Sequence, residues 1–378
     1  NMLGDGLVPS NAKAGYLARM LARRTLRLRD ELNLTVSLAD LAQHHIDVNL
    51  GGATMKQTHA GLLGILELEE ARYGEMLRKG GNVINTQLKQ LPKDAERIPD
   101  ETLFNMNDSH GLAPDMAVNL ARKAGWTSVS VRTGFAAEMA ERHAKMAKKA
   151  AQSVEAKPLV EEIPTLPATQ LLYYDDVQQQ EFDGSVLACL PLIGADAPDG
   201  ATHAIILDKT CFYPEGGGQE GDYGALKTTA TQCTVLDTRK VGDHVLHLVD
   251  GAFETGDLVH GSIDWKRRKQ LMDHHTAVHI VGGAARQVLG PHIYQAGANK
   301  SVEMARLDIT HFSRLNRADL VAIEALANEV LVQVQRTEKT ELNRKDADKK
   351  YGFDLYQGGA PKGSSIRILR IADHDIQA

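Results

Sequence analysis

The sequence predicts an α+β protein: an all-α N-terminal part, a small β-barrel-like part, and an α/β C-terminal part. Three observations carry that expectation. Apolar residues recur with helical period through most of the chain up to about Ala156, short β-rich runs punctuated by Gly, Asp and Pro fill the middle, and helical periodicity returns across His275 to Leu289. At 378 residues the chain exceeds one ordinary core and suits two or three domains, which the composition divides as 1–160, 161–265 and 266–378.

Residues 16–32, YLARMLARRTLRLRDEL, form a periodic helix in which Leu17, Met20, Leu21 and Leu28 share one face. Arg19, Arg23 and Arg27 follow at four-residue spacing on another face, a basic stripe expected to be exposed. Arg24 falls on the apolar side, where a buried guanidinium needs an ion-pair partner or a route to solvent. More helix runs through HAGLLGILELEEARYGEMLRKGGNVINTQLKQL to Pro92. The segment PDETLFNMNDSHGLAPDMAVNLARKAGW then reads as helix, a turn over Asp108 to Pro114, and helix, with Ala-rich helical sequence from about Thr133 to Ala156. Prolines and an acidic pair between Lys157 and Pro167 suggest a linker.

Beyond the linker, QLLYYDD, SVLACLPLI, THAIILDKT, QCTVLDT and HVLHLV read as short strands, closing near GDLVHGSIDW at Trp265. After the His275–Leu289 helix a second amphipathic helix is expected near Ala318. Asn316 is its N-cap, Asp319 sits in its first turn, and Leu320, Ile323, Ala327, Val330 and Val334 turn inward.

A formal net charge of −6 argues against a generally polycationic nucleic-acid binder, and no DNA partner is expected, although a local basic face can still meet RNA. Cys189, Cys211 and Cys233 lie far apart without a CxxC pair, which suits a reducing cytoplasm and no disulfide framework. No apolar run approaches the roughly 18 residues of a membrane span, and the start lacks a signal peptide's apolar region. The first residue is Asn rather than Met, and Ala378 follows IRILRIADHDIQA without a stop signal, so the chain is expected to be part of a longer one.

Two motifs can carry chemistry. His275 and His279 stand one helical turn apart, so both imidazoles can meet one ion; the alternative is two histidines on a helix face, with His274 beside them. Thr276 stands where a zinc protease has its glutamate, which makes a protease reading poor. The second motif is PEGGGQ, residues 214–219. It reads either as a glycine-rich hairpin or as a loop in which Gly216, Gly217 and Gly218 bring backbone close to a ligand and Gln219 offers its amide. Cys211 reads as a small buried hydrophobe rather than a nucleophile.

These motifs, KTCFYPEGGGQEGDYGA and HHTAVHIVGGAARQVLG, resemble the editing domain of alanyl-tRNA synthetases and of the AlaX trans-editing proteins. The stretch YQAGANKSVEMARLDITHF is similar to that family's QxGS…RxDxSH segment and places Gln295, Asp308 and His311 at matching positions, with Ala298 in place of the serine. DGLVPSNAKAGYLARMLARRTLR resembles the family pattern DGxxPSNxxxGYxxRxxxRRxxR, and NMNDSHGLAPD resembles LYDTxGxPxD with Asn105 and Met106 replacing leucine and tyrosine. The resemblance runs from Asp5 to Ala378 and is strongest to archaeal members. It covers neither the class II aminoacylation core, where ATP binds, nor the C-terminal region through which a full-length homodimer would form.

The resemblance implies a helical tRNA-recognition domain in which Asn11 and Asp108 read the G·U wobble pair of the tRNA(Ala) acceptor stem while Arg19, Arg23 and Arg27 hold phosphate. It also implies hydrolysis of Ser-tRNA(Ala) or Gly-tRNA(Ala), with Gln219, Gln295 and Thr210 as catalytic-site residues and the glycines beside the terminal adenosine. Thr210 would bond the hydroxyl of a mischarged serine. His275 and His279 would bind Zn2+, completed in the family by a Cys-x-x-x-His after a strand like Ile366–Ile371; the sequence stops about where that cysteine should stand. A tRNA-binding fragment without catalysis and a free-standing trans-editing deacylase are the rival expectations.

Overall fold

The computed structural model describes residues 2–3, 7–10, 13–49, 56–135, 137–139, 141–142, 158–193, 196–333, 337–356 and 363–377. It divides into two compact units, Asn1–Glu155 and Ala156–Ala378.

The first unit is helical among its described residues: α1 (Lys13–Glu31), α2 (Leu38–Asn49), α3 (Lys56–Gln87), α4 (Asp100–His110) and α5 (Pro114–Lys123). The long α3 is the spine. Ile84 near its end meets Leu103 and Met106 of α4, Val118 of α5, and Trp126 and Phe135 beyond it. Nearer its start, Leu62, Leu66 and Tyr73 meet Leu26 of α1 and Leu38 and Ile46 of α2. Helix α4 runs on through Asp108 to His110, into the start of the expected turn, which is confined to the residues before α5; Gly111 there takes a left-handed φ of 66°, which glycine adopts without a Cβ penalty. Most of the expected Ala-rich helix to Ala156 lies outside the described residues.

Helix α1 is turned opposite to its apolar pattern. Leu17, Met20, Leu21 and Leu28 are all more than 40% exposed, and Arg24 shares their solvent face. The inward face instead carries Arg19 and Arg23, whose Nε atoms lie 3.0 and 3.2 Å from the Glu69 carboxylate of α3. Glu69 is only 1% exposed, and a buried carboxylate without a cation costs several kcal/mol, more than a partly exposed leucine forfeits (about 1 kcal/mol). Leu26, Ala18 and Ala22 supply the apolar contact that remains.

The second unit begins with a closed antiparallel barrel of order β2-β3-β7-β6-β5-β8. Its strands are β2 (Glu181–Pro191), β3 (His203–Leu207), β5 (Gly224–Lys227), β6 (Gln232–Val241), β7 (His244–Val249) and β8 (Leu258–Ile263). Alternate residues point inward, so Phe182, Val186, Ile205, Leu207, Leu226, Val235, Val249 and Val259 fill the barrel around Phe212. Outside it, β1 (Gln170–Leu171) pairs in parallel with β4 (Lys209–Thr210). Strand β5 went unpredicted because its four residues, GALK, bury one large side chain and show no alternation.

Helix α6 (Trp265–Leu289) leaves β8 directly, capped by Asp264, whose carboxylate accepts from the Arg267 N–H at 3.1 Å. It starts ten residues before the His275–Leu289 periodicity because its first turns, WKRRKQLMD, are held by charge. Arg268 is buried there against Asp222 and donates to the Cys211 carbonyl at 2.7 Å. An antiparallel hairpin follows, β9 (Gln295–Lys300) with β10 (Ala305–Ile309). Helix α7 (Arg317–Gln333) is capped reciprocally by Asn316 and Asp319, each side chain accepting from the other's N–H at 3.0 Å. It buries Ile323, Ala327 and Val330 against α6, whereas Leu320 is half-exposed and Val334 lies outside the described residues. The unit ends in a three-stranded sheet β11-β12-β13 (Glu338–Asn343, Ser365–Ile371, Asp375–Gln377), with the short α8 (Arg344–Tyr351) after β11. No described helix is long and apolar enough to cross a membrane.

Candidate active site

The second unit contains a cleft of about 1070 Å³ lined by Gly217, Gln219, His275, His279, Gln295 and Lys300 on one side and by Tyr173, Tyr174, Lys339 and Arg367 on another. Residues 219, 275, 279 and 295, chosen from the sequence, therefore meet in one place.

The histidines are presented by α6 with rings nearly parallel, 12° apart, and centroids separated by 5.2 Å, as an i,i+4 pair on one face requires. Each has its Nδ1 engaged. The His275 Nδ1 is 2.9 Å from the Gln219 amide oxygen, and the His279 Nδ1 is 3.3 Å from an Asp375 carboxylate oxygen. An amide oxygen and a carboxylate can only accept, so both rings carry a proton on Nδ1. Burial, then the nearby Lys300 and His279 charges, push His275 down to about 3, so its imidazole is neutral at physiological pH.

A hydrogen bond that ties Nδ1 back is the usual support of a histidine that offers Nε2 to a metal. The pair thus fits an ion as two ligands of a larger set; among the described residues no group of three or more His, Cys, Asp or Glu converges to complete it. His274 is used elsewhere, with its Nδ1 donating to the Ser301 carbonyl at 2.7 Å.

The PEGGGQ segment folds as a tight turn closed by Gly216 and Gln219, which exchange backbone bonds of 3.0 and 2.9 Å. Gly217 and Gly218 both have positive φ, 59° and 76°, the type I′ pattern that favours glycine. A Cβ on Gly218 would lie 2.2 Å from the Ala298 carbonyl oxygen, and one on Gly217 would press on the His275 ring at 3.2 Å. Among the three glycines only Gly217 lines the cleft. The close approach they permit is to β9 and to His275, which corrects the expectation of a loop whose three glycines all face a ligand.

Thr210 needs a second correction. It is fully buried, and its hydroxyl lies 2.8 Å from the His247 Nε2 while accepting from the Phe212 N–H at 3.0 Å. The His247 Nδ1 donates to the Ile205 carbonyl at 2.9 Å, so its Nε2 must accept the threonine proton. The hydroxyl is spent inside the barrel and does not reach the cleft. Cys211 is likewise buried, its thiol pushed up to about 12 by burial, which removes it as a nucleophile.

His247 itself supports a prediction. Burial lowers it from an ordinary 6.5 to about 4. Its folded form binds fewer protons than the unfolded chain in that interval, so its contribution to stability is complete above pH 6.5 and is lost as pH falls towards 4. The loss is about 3 kcal/mol. Chemical denaturation at pH 7 and pH 4.5 should show a stability drop larger by about 2 kcal/mol or more in the native chain than in a His247→Gln variant; equal drops would refute it.

Other residues fall elsewhere in this unit. Asp308 pairs with Arg306 on β10, and His311 stacks on His292 with a 2.8 Å ring-nitrogen contact, so neither lines the cleft. Lys300, Asp375, Tyr174 and Arg367 went unpredicted. Asp375 is 96 residues from its histidine, and Lys300 is one lysine at the end of a six-residue strand, so neither leaves a local pattern.

In the first unit Asn11 lies outside the described residues. Asp108 sits in the last turn of α4, bonded by the Asn107 amide at 3.1 Å and paired with Arg142 at 3.3 Å. Arg19, Arg23, Arg72, Lys79, Ser109 and His110 line a cleft of about 510 Å³. The basic stripe is thus not a free exposed strip: Arg19 and Arg23 share Glu69, and Arg27 pairs with Asp115.

The family model described as tRNA synthetases class II (A) matches residues 1–267. The chain is 41% identical to the alanine–tRNA ligase of Pyrococcus furiosus over 381 aligned positions, which cover all of this chain and 40% of that protein. It is 40% identical to the alanine–tRNA ligase of Thermococcus kodakarensis and 38% identical to that of Halorubrum lacusprofundi, again over the whole chain and 40% and 39% of theirs. The chain therefore spans about 40% of the length of these curated relatives. With cover of this extent at this identity, the chain belongs to the alanyl-tRNA synthetase family, among the tRNA synthetases of class II (A).

Proposed function

We propose that this chain supplies the acceptor-stem recognition and editing parts of an alanine–tRNA ligase, and that its second unit hydrolyses Ser-tRNA(Ala) and Gly-tRNA(Ala). The observation that carries the reading is the meeting of Gln219, Gln295, His275 and His279 on one cleft. An alanine pocket rejects glycine, one methyl smaller, by only about 1–3 kcal/mol and discriminates poorly against serine's extra hydroxyl, so a second site must remove those errors.

In that site water adds to the ester carbonyl, the bond to the ribose oxygen breaks, and the ribose oxygen takes up a proton, releasing serine and intact tRNA. Gln219 holds the His275 ring, Asp375 holds His279, and Gln295 faces the cleft from β9 to orient the ester. A zinc ion held by the two Nε2 atoms and by the family's Cys-x-x-x-His would polarise the carbonyl or activate the water. A form extended through Cys-x-x-x-His should hydrolyse Ser-tRNA(Ala) at least about 100-fold faster than Ala-tRNA(Ala), the discrimination editing requires. Full hydrolysis by the unextended chain in the presence of a chelator would overturn the metal's part in it.

For the first unit, the proposal is that Asn11 and Asp108 read the wobble pair through the shallow minor groove while the cleft bearing Arg72, Lys79 and His110 takes phosphate. Arg72→Ala should weaken binding of all acceptor stems alike and reduce the salt slope by about 1, whereas Asp108→Ala should erase the preference for the wobble pair. Equal losses on wobble and Watson–Crick stems in the Asp108 variant would contradict this division. Arg19 and Arg23 are poor probes here, because removing either disturbs the buried Glu69 that they share.

A further inference from the structure

We propose that Lys300 is a positioning residue that keeps the His275 imidazole in its Nδ1–H form by pinning the Gly216–Gln219 turn onto β9. Its consequence for hydrolysis rests on the editing function proposed above; the positioning itself does not.

Lys300 is 1% exposed, and no carboxylate among the described residues pairs with it. Burial lowers its ammonium to about 8, so the group is held where its charge is disfavoured. Its bonds all go to the turn. The Nζ donates to the Gly217 carbonyl at 2.5 Å, its backbone N–H donates to the Gly218 carbonyl at 2.6 Å, and its carbonyl accepts from the Glu220 N–H at 3.2 Å. One residue thus brackets the turn from Gly217 to Glu220. Gln219 lies inside the bracket, its amide oxygen fixing the His275 Nδ1–H, while Gly217 packs against the same ring.

The two backbone bonds survive replacement by Met or Gln, but the ammonium bond does not. Without it the Gly217 carbonyl loses its partner, the turn is free to tilt, and Gln219 no longer selects one tautomer. The Nε2 lone pair would then face the cleft for only part of the time.

Long-range 1H–15N spectra of histidine-labelled full chain, in its native form and as Lys300→Met, Lys300→Gln and Lys300→Arg, test this. The native His275 should show one protonated Nδ1 and one bare Nε2. The Met and Gln variants should show averaged shifts, with roughly a fivefold change in tautomer ratio, the size of one lost hydrogen bond, and Arg should restore the native pattern. A folded Met or Gln variant with the native His275 pattern overturns the proposal, as does an Arg variant averaged like Met. Should none of the variants fold, the native chain decides: a through-bond coupling between the Lys300 ammonium and the Gly217 carbonyl supports the pin, and its absence refutes it. In the extended form, Lys300→Met should lower kcat for Ser-tRNA(Ala) by about the same fivefold with KM little changed. A native tautomer lock without any hydrolysis would refute the editing function and leave the positioning intact.

Discussion

Replacing Arg268 with methionine is expected to destabilise the second unit by about 3–5 kcal/mol, because it strands a buried carboxylate. Arg268 and Asp222 have side chains 3% and 1% exposed, and the guanidinium Nε lies 2.8 Å from both carboxylate oxygens. Arg268 also donates to the Cys211 carbonyl, and Asp222 accepts from the Tyr213 N–H at 2.8 Å, so the pair joins the first turn of α6 to the chain leading into the PEGGGQ turn. Thermal unfolding of the full chain should fall by about 6–20 °C for the second unit's transition. An Asp222→Asn change on top of Arg268→Met should recover part of the loss, since it removes the stranded charge. A fall below about 2 °C would mean that the pair contributes no more than a surface ion pair.

His275→Ala and His279→Ala should each reduce Ser-tRNA(Ala) hydrolysis by the extended form at least about 100-fold, the scale seen when a metal's protein environment is disturbed. Each removes one of two imidazoles presented from one helical turn with Nδ1 tied back. Zinc retained after dialysis should fall in parallel. Global unfolding should change far less than in the Arg268 variant, because both rings line the cleft and belong to none of the large apolar clusters. Hydrolysis unaffected by either change would separate the histidines from the chemistry.

What was legible in the sequence was what repeats locally. The i,i+4 spacing of His275 and His279 survives any packing because α6 enforces it, and Asn316 with Asp319 cap α7 through bonds three residues apart. What was illegible depended on distant partners. The apolar stripe of α1 pointed Leu17, Leu21 and Leu28 inward; Glu69, on another helix, reversed the face by drawing Arg19 and Arg23 to itself. Thr210 read as a cleft hydroxyl because nothing near it in sequence revealed His247, its partner 37 residues away across the barrel. Gln219 and Gln295 were placed by family motif, whereas Lys300 and Asp375, which act on the same rings, belong to no pattern that spacing could expose.

The most direct test is a crystal structure of the extended form with a non-hydrolysable 3′-serylamino-adenosine. The analogue should occupy the cleft with its amide carbonyl between the His275–His279 pair and Gln295 and its adenosine towards Tyr173 and Tyr174. An analogue bound elsewhere, with that cleft vacant, would contradict the assignment of the chemistry to His275, His279, Gln219 and Gln295.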